Sequence, residues 1–119
     1  MRNLTLTLVL LSGPALAEND FCAKVGSLVE YGMIARLSGD PFSTTLGRLN
    51  EEFQDLEKDL RLFFIRKQIK YEDRPSVEQI ALELTTDIYK TPYASGKENK
   101  QIAAVEYRNK VELECYNDE

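Results

Sequence analysis

Cys22 and Cys115 are the only two cysteines in a chain of 119 residues, one near each end. If they pair, the first and last elements of the fold are neighbours, whatever lies between. The chain has no histidine, so two cysteines cannot complete a tetrahedral zinc site. Their separation also excludes a C-x-x-C redox pair. Two readings remain, a structural disulfide or a pair of buried free thiols. The compartment decides which is expected.

Arg2 supplies a positive start, and Leu4 to Leu11 form a short apolar stretch interrupted by Thr5 and Thr7. Gly13 and Pro14 end it, and Ala15-Leu16-Ala17 is a small-x-small processing site. The stretch is too short to span a bilayer, which takes about 20 residues. Residues 1–17 therefore read as an export signal of bacterial type, and residues 18–119 as one domain, periplasmic or secreted. In such an oxidising compartment the expectation is a Cys22–Cys115 disulfide, not free thiols. Closing a loop of about 94 residues would stabilise the fold by about 4–5 kcal/mol on the chain-entropy argument.

The remaining sequence is patterned for helices. Phe21, Val25, Leu28, Val29 and Gly32 recur at helical spacing, which predicts a helix from about Asn19, capped by Asn19 or Asp20, to Leu37. Ser38-Gly39 stops it, and Asp40-Pro41 reads as a new cap followed by a first-turn proline. Leu46, Leu49, Phe53, Leu56, Leu60 and Phe63 follow at intervals of 3, 4, 3, 4 and 3, one continuous helical seam. Gly47 is where this second helix could break, and Arg74-Pro75 is where it is expected to end. Ser76-Val77-Glu78-Gln79 is a capping box opening a third helix, whose inner face is Val77, Ile80, Ala81, Leu84 and Ile88. A fourth is expected over about Lys97 to Cys115, with Ile102, Ala104, Val105, Tyr107, Val111 and Cys115 inward and Leu113 as a further candidate. The predicted fold is an all-α, compact four-helix bundle whose N- and C-terminal helices are antiparallel neighbours joined by the disulfide.

A cysteine opening the first helix, Arg36 and Gly39 at its end, Tyr89-x-x-Pro92 after the third and the terminal Cys115 occur together. In this the chain resembles small exported two-cysteine helical proteins of Gram-negative bacteria and their prophages. It is loosely similar in size and design to periplasmic immunity proteins of type VI secretion effectors and to periplasmic acid-stress chaperones. No functional residue carries over from these groups.

Charge and residue types exclude several activities. With 15 basic and 20 acidic residues the chain carries −5, and loss of Arg2 with the leader makes the remainder more negative. It lacks the basic excess that drives phosphate-backbone binding, so no nucleic-acid partner is expected. Without histidine, and without Gly-x-Ser-x-Gly or Ser-x-x-Lys, a serine or cysteine nucleophile has no customary base. Glu83 and Asp87, four apart on one helix face, are the carboxylate pair available for cell-wall glycoside hydrolysis, but such pairs are ordinary on solvated faces. Glu51, Glu52 and Asp55 lack a calcium-loop pattern and suit the positive end of a helix. No catalytic residue, cofactor or metal is assigned.

Lys58, Arg61, Arg66, Lys67 and Lys70 alternate with Leu60, Leu62, Phe63, Phe64, Ile65 and Ile69. Such a segment touches an anionic lipid or an acidic partner, or else is the core-facing part of a helix with a basic outer face; the last is the expectation. Phe63, Phe64 and Ile65 cannot all point inward, so they are candidate contact residues, as are Tyr89 and Tyr93 flanking Thr91-Pro92. The expected function is a non-enzymatic protein-binding module, an inhibitor or immunity factor, whose partner is another envelope protein and not a membrane. An envelope holdase is the second reading, and a cell-wall enzyme the third.

Overall fold

The computed structural model describes residues 13–92 and 99–117. Among them lie five α-helices and no strand: α1 (Gly13–Leu37), α2 (Phe42–Gln54), α3 (Glu57–Arg66), α4 (Val77–Lys90) and α5 (Lys100–Asn117). The all-α fold is as expected, with five helices in place of four. The apolar stretch Leu4–Leu11 of the expected leader lies outside the described residues. The expected processing site, Ala15-Leu16-Ala17, lies within α1, which starts before Asn19 because Ala, Leu and Glu there favour helix and Pro14 fits a first turn.

Helix α1 is the centre of the molecule. It packs most extensively against α5 and also touches α2, α3 and α4, while α2 lies along α4. Phe21, Val25, Val29 and Met33 form its buried stripe. A Schellman turn ends it: Gly39 has φ 100°, Gly39 N donates to Arg36 O at 3.0 Å, and Asp40 N to Ala35 O at 2.9 Å. Asp40 is therefore spent on the end of α1 and does not cap α2. Pro41 takes the N-cap position, its carbonyl accepting from Thr44 N at 3.1 Å and Thr45 N at 3.2 Å, with no side-chain cap.

The long seam is real but is divided at Asp55 and Leu56, not at Gly47. Gly47 sits on the exposed face of α2 with nothing near its Cβ direction, so nothing there deflects the helix. Leu49, Phe53 and Leu60 are buried on either side of the division. The second piece, α3, ends at Arg66, well before Pro75. Gln68 adopts φ 61°, and Gln68 N to Ile65 O and Ile69 N to Phe64 O, both 3.0 Å, complete a second Schellman turn. A 3-10 turn, Tyr71–Asp73, then leads to α4. The capping box forms as the sequence predicts: Gln79 N donates to Ser76 Oγ at 3.1 Å and Ser76 N to Gln79 Oε1 at 2.9 Å.

Helix α5 runs antiparallel to α1. Cys22 and Cys115 are disulfide-bonded with Cα atoms 5.8 Å apart. One turn on, Gly26 lies beneath the Glu112 side chain. Another turn on, Arg108 Nη1 reaches Glu30 at 2.7 Å while its Nε reaches Glu112 at 2.7 Å. Ala104 and Tyr107 are buried, but Ile102, Val105 and Leu113 are exposed, contrary to the expected inward set. Residues two apart on a helix point about 200° from each other, so Ile102 cannot accompany Ala104, nor Val105 Tyr107, nor Leu113 Val111.

The core has two halves. Phe21, Val25, Phe53, Leu60, Phe64, Val77 and Ala81 fill one, and Val29, Met33, Leu49, Ile88, Ala104 and Tyr107 the other. Leu28, Leu84 and Val111 pack against both.

Candidate contact site

The contact residues expected from sequence are distributed over both halves of the core. Phe64 is buried, and Phe63 is half-buried with its ring centroid 4.8 Å from that of Phe21. Ile65 points outward and is 54% exposed. Tyr89 sits on the other half, where its hydroxyl donates to Asp40 O at 2.7 Å and Thr45 Oγ1 lies 2.8 Å away. Because the tyrosine proton goes to the carbonyl, Thr45 is the donor in the second bond. The Phe42 ring meets Tyr89 edge-on, with centroids 5.4 Å apart. Beside it, Arg36 Nη1 donates to Ile88 O at 2.6 Å and Thr91 O at 2.5 Å, covering the carbonyl end of α4. Tyr89 and Arg36 thus fasten the α1–α2 turn to the end of α4. Tyr93 lies outside the described residues.

A concavity of about 580 Å³ opens at the other end, between the end of α2, the start of α3 and the connection into α4. Its position follows from the Schellman turn at Gln68, which swings the chain away from α3 and back toward the capping box. Arg74 holds this connection in shape. Its Nε donates to Ile69 O at 3.0 Å, and its guanidinium carbon stands 6.0 Å from the Phe64 ring and 5.7 Å from the Tyr71 ring. Tyr71 itself is 82% exposed. Across the opening, Gln54 Nε2 bridges α2 to α4 by donating to Glu78 Oε2 at 3.1 Å. The Glu78 carboxyl is held below its ordinary range by its own backbone N–H first and by the Gln54 amide second.

This site offers an exposed phenol, a guanidinium facing two aromatic rings, carboxylates and a floor of Leu60 and Phe64. Those groups suit recognition more than reaction. Ser76 Oγ is committed to the cap, and no basic imidazole exists to activate it. Glu83 and Asp87 are exposed on α4 and line a different part of the surface. Among the described residues no His, Cys, Asp and Glu side chains cluster to hold a metal ion. Glu52 instead pairs with Arg48 at 3.6 Å. In the second half of the core, burial first and the nearby Asp87 charge second raise the Tyr107 phenol above its ordinary value.

Tyr71 and Arg74 were not singled out from sequence. The usable signal was an aromatic residue within a charged connection that ends in proline, where no helical face can absorb it. Comparison with protein-family models, with curated proteins and with solved structures gave no match.

Proposed function

We propose that this protein is a non-enzymatic protein-binding module of an oxidising, extracytoplasmic compartment, acting as an inhibitor or immunity factor toward another envelope protein. The observation that supports this reading is the pairing of a largely exposed Tyr71 with the Arg74 guanidinium 5.7 Å from its ring at the rim of a concavity. Tyrosine and arginine dominate binding energy at protein interfaces, because each combines a large apolar surface with directed hydrogen bonding. The connection that carries them is held by Arg74 Nε on Ile69 O and by the capping box at Ser76, so little order has to be gained on binding.

The test is site-specific crosslinking in the native host, with a photoreactive residue in place of Tyr71. One dominant protein should be captured, and the purified pair should form a stoichiometric complex. Tyr71→Ala should weaken that complex by about 2 kcal/mol or more while leaving the melting temperature unchanged. Failure to capture a stoichiometric partner, or an affinity indifferent to Tyr71, would reject the reading. The gene next to this one is an independent discriminator, since an effector or toxin gene there would support it.

A further inference from the structure

The division of the long seam at Asp55 and Leu56 leaves α3 as a separate ten-residue helix with its own outward face. At about 100° per residue, Leu60 and Phe64 mark the direction of the core. Arg61, Ile65, Lys58, Leu62 and Arg66 then follow one another around an arc of about 140° on the far side. All five are exposed, with Leu62 at 48% and Ile65 at 54%. Lys58 stands between the two aliphatic residues in the middle of the arc, and the two arginines mark its edges. Glu57 and Asp59 fall outside it, and Asp59 is engaged by Lys24 at 3.1 Å. Among the described residues, none of Lys58, Arg61 and Arg66 pairs with a carboxylate. A chain of net charge −5 thus concentrates three positive charges around two exposed aliphatic side chains.

From this arrangement we propose that the outward face of α3 docks on an anionic lipid surface. Aliphatic side chains set among long cationic ones form the arrangement that lies in a membrane interface. The apolar groups enter the headgroup boundary while the guanidinium groups reach lipid phosphates. The face is convex: neither Leu62 nor Ile65 lines the concavity beside Tyr71 or the apolar cleft near the disulfide. Two half-exposed aliphatics on a ten-residue helix are too little for the core of a stable protein interface, which buries on the order of 800 Å² per partner. They suffice for peripheral, reversible attachment when basic residues add electrostatic attraction. The opposite charge of the rest of the chain orients the molecule, turning α3 toward the lipid, with Arg61 at the edge shared by this face and the concavity.

Vesicle co-sedimentation of the full chain tests the proposal. Vesicles of phosphatidylcholine with about one-third phosphatidylglycerol should bind the protein at low ionic strength, and pure phosphatidylcholine vesicles should not. Ile65→Ser with Leu62→Ser should reduce partitioning about tenfold, and Lys58→Gln with Arg66→Gln should reduce it similarly and flatten its salt dependence. Unchanged thermal melts would show that these surface variants remain folded. Equal binding to both vesicle types, no binding to either, or indifference to the substitutions would overturn the proposal. Capture by immobilised polyglutamate without vesicle binding would overturn it too, and would make α3 a contact for an acidic protein.

Discussion

Gln68 holds a left-handed backbone, with φ 61°, at the point where α3 must turn. Gly39 does the same work at the end of α1 with φ 100°, and glycine does it without crowding a Cβ against the backbone. The two turns share the same pair of hydrogen bonds and differ in this one penalty. Gln68→Gly should therefore raise the free energy of unfolding by about 0.5–1 kcal/mol, the relief of strain exceeding the added freedom of the unfolded chain. Urea denaturation is the measurement, and a loss of stability would show that the glutamine side chain holds the turn. Ser-Gly after α1 was readable as a stop in the sequence; a glutamine in the same role carried no such mark.

At the scale of elements, two glycines inside helices have opposite meanings. A Cβ on Gly32 of α1 would meet Ile88 Cδ1 at 2.6 Å, and Ile88 is fully buried between α1 and α4. Gly47 of α2 has nothing within 4 Å of that position. Gly32→Ala should destabilise by about 1–3 kcal/mol, because Ile88 must leave its rotamer or the helices must part. Gly47→Ala should stabilise by about 0.5–1 kcal/mol through helix propensity alone. Thermal or denaturant unfolding of both variants checks the pair; equal effects would contradict the close packing of α1 on α4. Sequence pattern puts Gly32 on the inward stripe and Gly47 at a candidate break, and only the neighbouring helix shows what a Cβ at each would meet.

For the whole molecule, the disulfide and the α1–α5 contact have to be weighed together. Helix α5 lies chiefly along α1, held by Ala104, Tyr107 and Val111 and by Arg108 between Glu30 and Glu112. The disulfide closes the end of this pair farthest from the second half of the core. Cys115→Ser should lower unfolding free energy by about 2–5 kcal/mol, and reductant should reproduce the effect in the parent protein. Denaturant melts with and without reductant make the comparison. A change below about 1 kcal/mol would mean that α5 is held by packing and the Arg108 ion pairs alone, with the cross-link contributing little.

The sequence by itself determined the all-α class, the capping box at Ser76, the stop at Gly39, the buried stripes of α1 and α4, and the pairing of Cys22 with Cys115. Each depends on residues close in sequence, or on a covalent bond that needs only two partners. Tertiary structure alone decided that the seam of Leu46 to Phe63 divides at Asp55, that α3 ends at Arg66 with a turn at Gln68, and that Ile102, Val105 and Leu113 face outward. Periodicity shows that a helix has an apolar side, but neighbours decide which of several apolar sides is covered, and α5 has α1 as its one extensive neighbour. Tyr71 and Arg74 belong to the same class of fact. Their approach is created by the path of the chain between α3 and α4, a path fixed by where both helices pack and by no local residue pattern.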